Sequence, residues 1–204
     1  MKNELVKNTV ILTVITLISG LLLGTVYEIT KGPIAAEEEK AKKAAWQSVF
    51  TDASAFEEQD MAALNGEKVL SEAGFPNQDI DSVVVAKDES GQQVGYVIGV
   101  VSHEGYGGDI SLSVGIQNDG TVNGFEILSI SETAGLGMKA DTEEFKSQFS
   151  GKKVVQFVYT KTGASADHEI DALSGATITT NAVTNGVNAA IAYFDSLEGG
   201  KADE

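Results

Sequence analysis

The sequence predicts an α+β domain, an antiparallel sheet with packed helices, preceded by one N-terminal transmembrane helix. Three observations carry this. Residues 8–27, NTVILTVITLISGLLLGTVY, contain no charge. Residues 82–103 and 110–131 each set β-rich runs on either side of a turn signal. Near the C-terminal end Val183, Val187, Ala190, Ile191 and Phe194 recur at three- and four-residue steps, the spacing of one helix face.

The elements follow in order. The uncharged run has the length needed to cross a hydrocarbon core, roughly 20 residues. A cleaved signal peptide has a shorter apolar stretch, about 7–15 residues, and a buried core helix is rarely apolar all round. Lys2 and Lys7 precede the span, so the positive-inside rule keeps the N-terminus cytoplasmic, against Lys31, Lys40, Lys42 and Lys43 on the other side. Lys31-Gly32-Pro33 then punctuates the chain, and AAEEEKAKKAAWQSVF places acids early and lysines late, which suits the dipole of a stalk helix. Glu89-Ser90-Gly91 and Asn118-Asp119-Gly120 are the turns of two hairpins. A Gly-containing loop, SETAGLGMKA, leads to a short helix, DTEEFKSQF, opened by an Asp141/Glu144 capping pattern, and to a strand candidate, VVQFVYT. A polar loop leads to the closing helix, whose stripe begins at Val183.

Composition narrows the chemistry. The 204 residues include 14 basic and 30 acidic side chains, a net charge of −16. Nucleic acid and anionic lipid headgroups would repel such a chain. Every basic residue is Lys, so the bidentate guanidinium fork for phosphates is missing. With no Cys, this chain supplies no disulfide, thiolate metal site or thiol nucleophile. Redox chemistry here requires an imported cofactor.

The densest cluster of functional side chains is DALSGATITTN, residues 171–181. It sits at the approach to a helix N-terminus, where free N–H groups and the positive dipole end attract an anion. Gly175 permits a tight turn. On the residues alone two readings stand: Asp171, Ser174 or Thr177 is an ordinary N-cap, or the surplus hydroxyls belong to a phosphate site. The Gly135-Leu136-Gly137 loop has the same two readings, a hairpin exit or a close approach of backbone to ligand. His103-Glu104 and Asp167-His168-Glu169 read as solvated surface rather than metal ligands, since neighbouring strand residues point to opposite faces.

Asp171-Ala172-Leu173-Ser174-Gly175-Ala176-Thr177 resembles the Dxx(S/T)GAT motif of covalently flavinylated FMN-binding domains. GYGGDISLSVGI at 105–116 and SETAGLG at 131–137 are similar to two further segments of that domain, in the same order. A single N-terminal span followed by one domain ending in GATxTxNAVxNGVxxAI resembles the family of Rnf complex G subunits over nearly the full length. The C subunits of sodium-pumping NADH:quinone reductases are siblings that share span and motif. Ala134 stands where many members carry Pro, which implies a looser loop.

The resemblance implies a cofactor, FMN, joined by a flavin transferase through a phosphoester to Thr177. Asp171 and Ser174 then serve recognition by the transferase, and Gly175 and Ala176 keep the acceptor accessible. Glu132, Thr133, Gly135 and Leu136 become flavin-site residues, with Lys139 offsetting charge. Gly105, Gly107 and Gly108 take a structural role at the site's edge, Tyr106 reads as a core aromatic in preference to a ring lying on the flavin, and Thr179 and Thr180 are alternative acceptors. A tether is physically reasonable: a domain at −16 without Arg holds a dianionic phosphate poorly, and a bond replaces affinity with effective concentration. The expected divisions are a cytoplasmic N-terminus at 1–7, the span at 8–27, a stalk at 28–50, an extracytoplasmic FMN-binding domain at 51–198 and an acidic tail at 199–204. The implied function is electron relay within a membrane redox complex with other subunits as partners. The rivals are a membrane-tethered flavin sensor without relay, a C subunit of a sodium-pumping NADH:quinone reductase, and an interaction domain in which SGAT only caps a helix.

Overall fold

The computed structural model describes residues 2–60 and 65–199. All but the first residue of the expected tail at 199–204 lies outside them. The chain divides into two compact units, Met1–Ala41 and Lys42–Glu204.

Helix α1 (Lys2–Val49) supplies the first unit. Its Leu, Ile and Val side chains are exposed from Leu5 to Ile34, and an 18-residue window reaches a mean hydropathy of 2.3. Thr9, Thr13, Thr16, Thr25 and Thr30 each donate their hydroxyl to the carbonyl four residues earlier. These hydroxyls then need no water, which is what a hydrocarbon environment demands. The expected punctuation at Lys31-Gly32-Pro33 does not end the helix, which runs through Pro33. Proline removes one backbone bond and costs about 3 kcal/mol in a helix interior. The cooperative ladder on both sides absorbs it.

The second unit is built on one five-stranded antiparallel sheet in chain order: β1 (Ala55–Glu58), β2 (Gln78–Lys87), β3 (Gln93–Ser102), β4 (Ile110–Gln117) and β5 (Val122–Ser129). The two hairpins are β2–β3 and β4–β5, joined through β3–β4 by the register Ser102↔Ile110 to Gly95↔Gln117. Their turns close as the residues dictate. Asp88 accepts the N–H groups of Ser90 and Gln92, and Asp119 accepts that of Thr121. The Ser90 hydroxyl, which also donates to Asp88 at 2.6 Å, and then the Gln92 N–H hold the Asp88 carboxyl below its ordinary pKa, and the Thr121 N–H does the same for Asp119.

Alternation along β2 divides the core between the two faces of the sheet. Val83 and Val85 join Ile98, Leu112, Val114 and the stripe of α4 (Thr177–Gly199), including Val187 and Ile191. Val84 and Ala86 meet Trp46, Val49 and Phe50 from the end of α1. Four phenylalanines close one end of the larger core, with Phe149 set edge-on to Phe125, Phe145 and Phe157 at 5.1, 5.6 and 5.0 Å.

Elsewhere the local patterns mislead. The capping pattern at Asp141/Glu144 does not form: Gly137–Asp141 is a 3-10 turn, Thr142 is the N-cap without a side-chain bond, and α3 spans only Glu143–Lys146. Buried Lys146 draws in the acids instead, with Glu126, Glu143 and Asp141 at 2.8, 3.1 and 3.7 Å. Burial acts most strongly on its pKa and lowers it, but the bonds from Glu126 and Glu143 outweigh that and the net shift is upward. Of VVQFVYT only β6 (Val158–Thr160) is a strand, and it pairs in parallel with β7 (Glu169–Asp171). Asn188 of α4 takes up the preceding segment. Its side chain accepts from the Phe157 N–H at 2.8 Å and donates to the Phe157 carbonyl at 2.9 Å. Strand β1 and helix α2 (Gly66–Glu72) have no counterpart in the sequence reading.

Candidate functional site

Helix α4 starts at Thr177, well before the first stripe residue Val183. None of the three expected caps acts as one. Asp171 accepts the Ala164 N–H at 2.7 Å and so closes the 164–171 loop. Ser174 is exposed, and neither its hydroxyl nor that of Thr177 is hydrogen-bonded among the described residues. The turn is instead held from within by Thr180. Its hydroxyl accepts the Leu173 N–H at 3.0 Å and donates to the Ala176 carbonyl at 2.9 Å. Gly175 makes the approach possible with φ +75°, a conformation that costs glycine little.

This arrangement leaves the end of α4 open. Among the described residues the backbone N–H groups of Thr177, Ile178 and Thr179 have no acceptor, at the positive end of a 23-residue helix. They border a cavity of ≈ 630 Å³ whose walls include Thr177, Thr179, Glu132, Leu136 and Tyr106. That volume falls within the range of about 300–1,000 Å³ for small-molecule sites.

Two loops from the sheet complete the cavity. Glu132, 9% exposed, accepts the N–H of Tyr106 at 2.7 Å and that of Gly107 at 3.3 Å through Oε1. It thereby fixes the β3–β4 connection against the 131–137 loop. Gly137 lies where a Cβ would stand 2.6 Å from Thr179 Oγ1 and 2.7 Å from Glu132 Oε2, so only glycine lets these segments meet. The mouth is apolar: Tyr106, Leu136 and Ile178 are all exposed there.

Of the residues singled out in the sequence, Thr177, Gly175, Ala176, Glu132, Thr133 and Leu136 line this cavity together. Gly135 lies on the same loop with φ +77°. Asp171, Ser174 and Lys139 instead line an adjoining cleft of ≈ 320 Å³ behind the Ser174-Gly175 turn. Thr179 and Thr180 are buried, and the Thr180 hydroxyl is committed to its two bonds. Tyr106 is a correction: it is 72% exposed at the cavity mouth rather than in the core. Its place in a Gly-Tyr-Gly-Gly run was the available signal, since a loop this rich in glycine rarely buries its aromatic. His103 also differs from a plain solvated histidine. It sits between Asp109 at 2.9 Å and Asp79 at 3.0 Å, and the bonds from Asp79 and then Asp109 raise its pKa.

The residues present fit FMN. A phosphate suits the open helix end, whose N–H groups supply the donors that the missing arginines do not. A planar apolar ring suits the mouth formed by Tyr106, Leu136 and Ile178.

Comparison with known proteins identifies the domain that holds this cavity. The FMN-binding domain family matches residues 105–192, which contain every residue named in the cavity wall, and the RnfG N-terminal region matches residues 1–49. The solved structure of NqrC from Shewanella oneidensis overlaps 58% of this chain and 61% of its own at 23% identity, with a TM-score of 0.49. The G subunit of the Na(+)-translocating ferredoxin:NAD(+) oxidoreductase complex of Acetobacterium woodii is 32% identical over 94% of this chain and 92% of its own length. Its counterpart in the proton-translocating ferredoxin:NAD(+) oxidoreductase complex of Clostridium ljungdahlii is 33% identical over 98% and 97%. That of the ion-translocating oxidoreductase complex of Methanosarcina acetivorans is 32% identical over 96% and 97%. With relatives at this identity over nearly the whole of both chains, and its N-terminal apolar helix within the matched region, the chain belongs to the RnfG family as a membrane-anchored member carrying an FMN-binding domain.

Proposed function

We propose that this chain carries FMN covalently on Thr177 and passes electrons within an ion-translocating ferredoxin:NAD⁺ oxidoreductase complex. The observation that carries the reading is Thr177 itself. It is the first residue of α4, half-buried in the cavity wall, with a hydroxyl free of hydrogen bonds among the described residues. A flavin transferase would move the FMN phosphoryl from a flavin donor to the Thr177 oxygen, which loses its hydroxyl proton while the donor's bond to phosphorus breaks and its leaving group departs. The relatives that match over nearly the full length are named as G subunits of such complexes, and this motivates the assignment of partners.

When bound, FMN accepts one or two electrons and so matches carriers of either kind. This chain's own residues hold and orient. The N–H groups of Thr177, Ile178 and Thr179 would donate to the phosphate, and the Thr177 oxygen would anchor it. Glu132 keeps the Tyr106 loop in place, and Leu136 and Ile178 would keep water from the ring's apolar surface. Asp171 secures the loop that precedes the anchor, which makes it a support for acceptor geometry as well as a recognition element. Lys2 and Lys7 on the short side of the span support a cytoplasmic N-terminus and an FMN domain outside, with Lys31, Lys40, Lys42 and Lys43 weakening the contrast.

Peptide mass spectrometry on protein purified from its own membrane tests this. The expected result is the mass of FMN less water on the Thr177 peptide, with the rest of the complex in the same preparation. A bare Thr177 peptide, with the flavin transferase present, would overturn the covalent reading. Flavinylated protein that never accompanies a redox complex would favour the sensor.

A further inference from the structure

The connection between β3 and β4, residues 103–109, forms a strap that carries Tyr106 to the cavity mouth. Besides the backbone bond from the His103 N–H to the Asn77 carbonyl at 3.0 Å, side chains hold it at three places. At its tip Glu132 accepts the Tyr106 and Gly107 N–H groups. At its root Glu104 accepts the side-chain amides of Gln78 and Asn185, each at 2.7 Å, and that of Asn77 at 3.3 Å. At its neck His103 Nδ1 lies 2.9 Å from Asp109 Oδ1, while Nε2 lies 3.0 Å from Asp79 Oδ2 at the start of β2.

The first two holds use donors that do not titrate. The third does not share that property. A neutral imidazole has one N–H and one lone pair, and a carboxylate is an acceptor only. With carboxylate oxygens at both ring nitrogens, the neutral form sets one lone pair against another, so both bridges persist together only in the imidazolium. The surroundings reinforce this. Glu67, Asp79 and Asp81 line the cleft beside His103, and the ammonium of Lys42 pairs with Asp81 at 2.9 Å. Glu104, the adjacent carboxylate, is occupied by its three amides.

We propose that His103 is a positioning residue for the cavity wall: its imidazolium ties Asp79 to Asp109, and loss of the proton releases one tie and loosens the strap bearing Tyr106. This rests on the reading of the cavity as the FMN site and makes that site responsive to the pH the domain faces. The bonds to Asp79 and Asp109 raise the His103 pKa, so release occurs above the ordinary histidine value of about 6.5.

Amide hydrogen exchange of the full-length chain in detergent tests the tie without any cofactor. The strap peptide is followed at about pH 6 and about pH 9, each corrected for the intrinsic exchange rate. Strap protection in the unsubstituted chain falls at least about threefold at the higher pH, and His103→Gln abolishes the step. Asp79→Asn should keep the strap protected at both values, because the asparagine amide donates to neutral Nε2 while Nδ1–H still donates to Asp109. A flat profile in the unsubstituted chain, or an undiminished step in either variant, overturns the proposal. In flavinylated protein the emission of the bound flavin should follow the same titration, and exchange that steps while emission stays constant overturns the link to the site. Failure of the flavin reading shows separately, as absence of the FMN mass on the Thr177 peptide.

Discussion

The backbone N–H of Leu173 donates to the hydroxyl of Thr180 at 3.0 Å, and that hydroxyl donates onward to the Ala176 carbonyl at 2.9 Å. One side chain inside the helix thus holds the turn in front of it, while the first N–H groups of the helix stay open. Thr180→Val keeps the shape and leaves the Leu173 N–H buried without a partner. A loss of about 1–3 kcal/mol is expected, read as a lower urea midpoint for the full-length chain. No loss would show that the hook is dispensable.

Thr177 sits three residues earlier and has the opposite character, since its hydroxyl makes no hydrogen bond among the described residues. Thr177→Ala should therefore change stability by less than about 1 kcal/mol, the usual value of a cap, while removing covalent flavin altogether. In-gel flavin fluorescence after denaturation, with the flavin transferase co-expressed, reads this directly. Fluorescence that survives the substitution would move the anchor elsewhere.

Gly137 separates ligand binding from folding. A methyl group there meets Thr179 Oγ1 and Glu132 Oε2 at 2.6 and 2.7 Å, below any van der Waals contact, so Glu132 must rotate and release the Tyr106 loop. Gly137→Ala is expected to weaken binding of free FMN by the unmodified chain at least about tenfold, a difference of roughly 1.4 kcal/mol. Fluorescence titration measures it, and unchanged affinity would mean that the 131–137 loop does not shape the site.

The aromatic end of the core predicts a purely structural loss. Phe149 is fully buried against three other rings, and Phe149→Ala should cost about 3–5 kcal/mol. Asn188→Leu strands both the N–H and the carbonyl of Phe157, each worth about 1–3 kcal/mol when left unpaired. Chemical denaturation of both variants should rank them well below Thr177→Ala.

His103 has a stability signature with a definite sign. Its folded pKa is raised by Asp79 and Asp109, so its contribution is complete below the unfolded value of about 6.5 and is lost as pH rises through the higher folded value. The gap in urea midpoint between the unsubstituted chain and His103→Gln should be widest in mild acid and close in alkali. A gap that grows with pH would contradict the bridged geometry.

The apolar helix, the two hairpins and the closing helix were legible in the residues, although α4 begins at Thr177 rather than near Val183. Each depends on interactions within about one turn or one hairpin: uncharged length, alternation about a turn, apolar steps of three and four. The residues of the GAT motif alone left a helix cap and a phosphate site both open, and it was the resemblance to FMN-binding domains that pointed to FMN. What escaped the local patterns was settled by distant partners. Pro33 fails to end α1 because the helix around it is long. The Asp141/Glu144 pattern fails to cap because Lys146 gathers Glu126, Glu143 and Asp141 around a buried charge. VVQFVYT is mostly not a strand because Asn188, 31 residues away, satisfies the backbone of Phe157.

The sequence by itself therefore determined the inventory: a membrane-length helix, an antiparallel sheet, and a hydroxyl-rich turn ahead of the closing helix. Tertiary structure alone decided that Glu132, Gly137 and Tyr106 converge on Thr177, that Lys139 faces a different cleft, and that Thr180 frees the helix end. The physical reason is range. Periodicity and turn chemistry act between neighbours along the chain, whereas a cavity is the space left when segments far apart in sequence pack together, and no single segment encodes its shape.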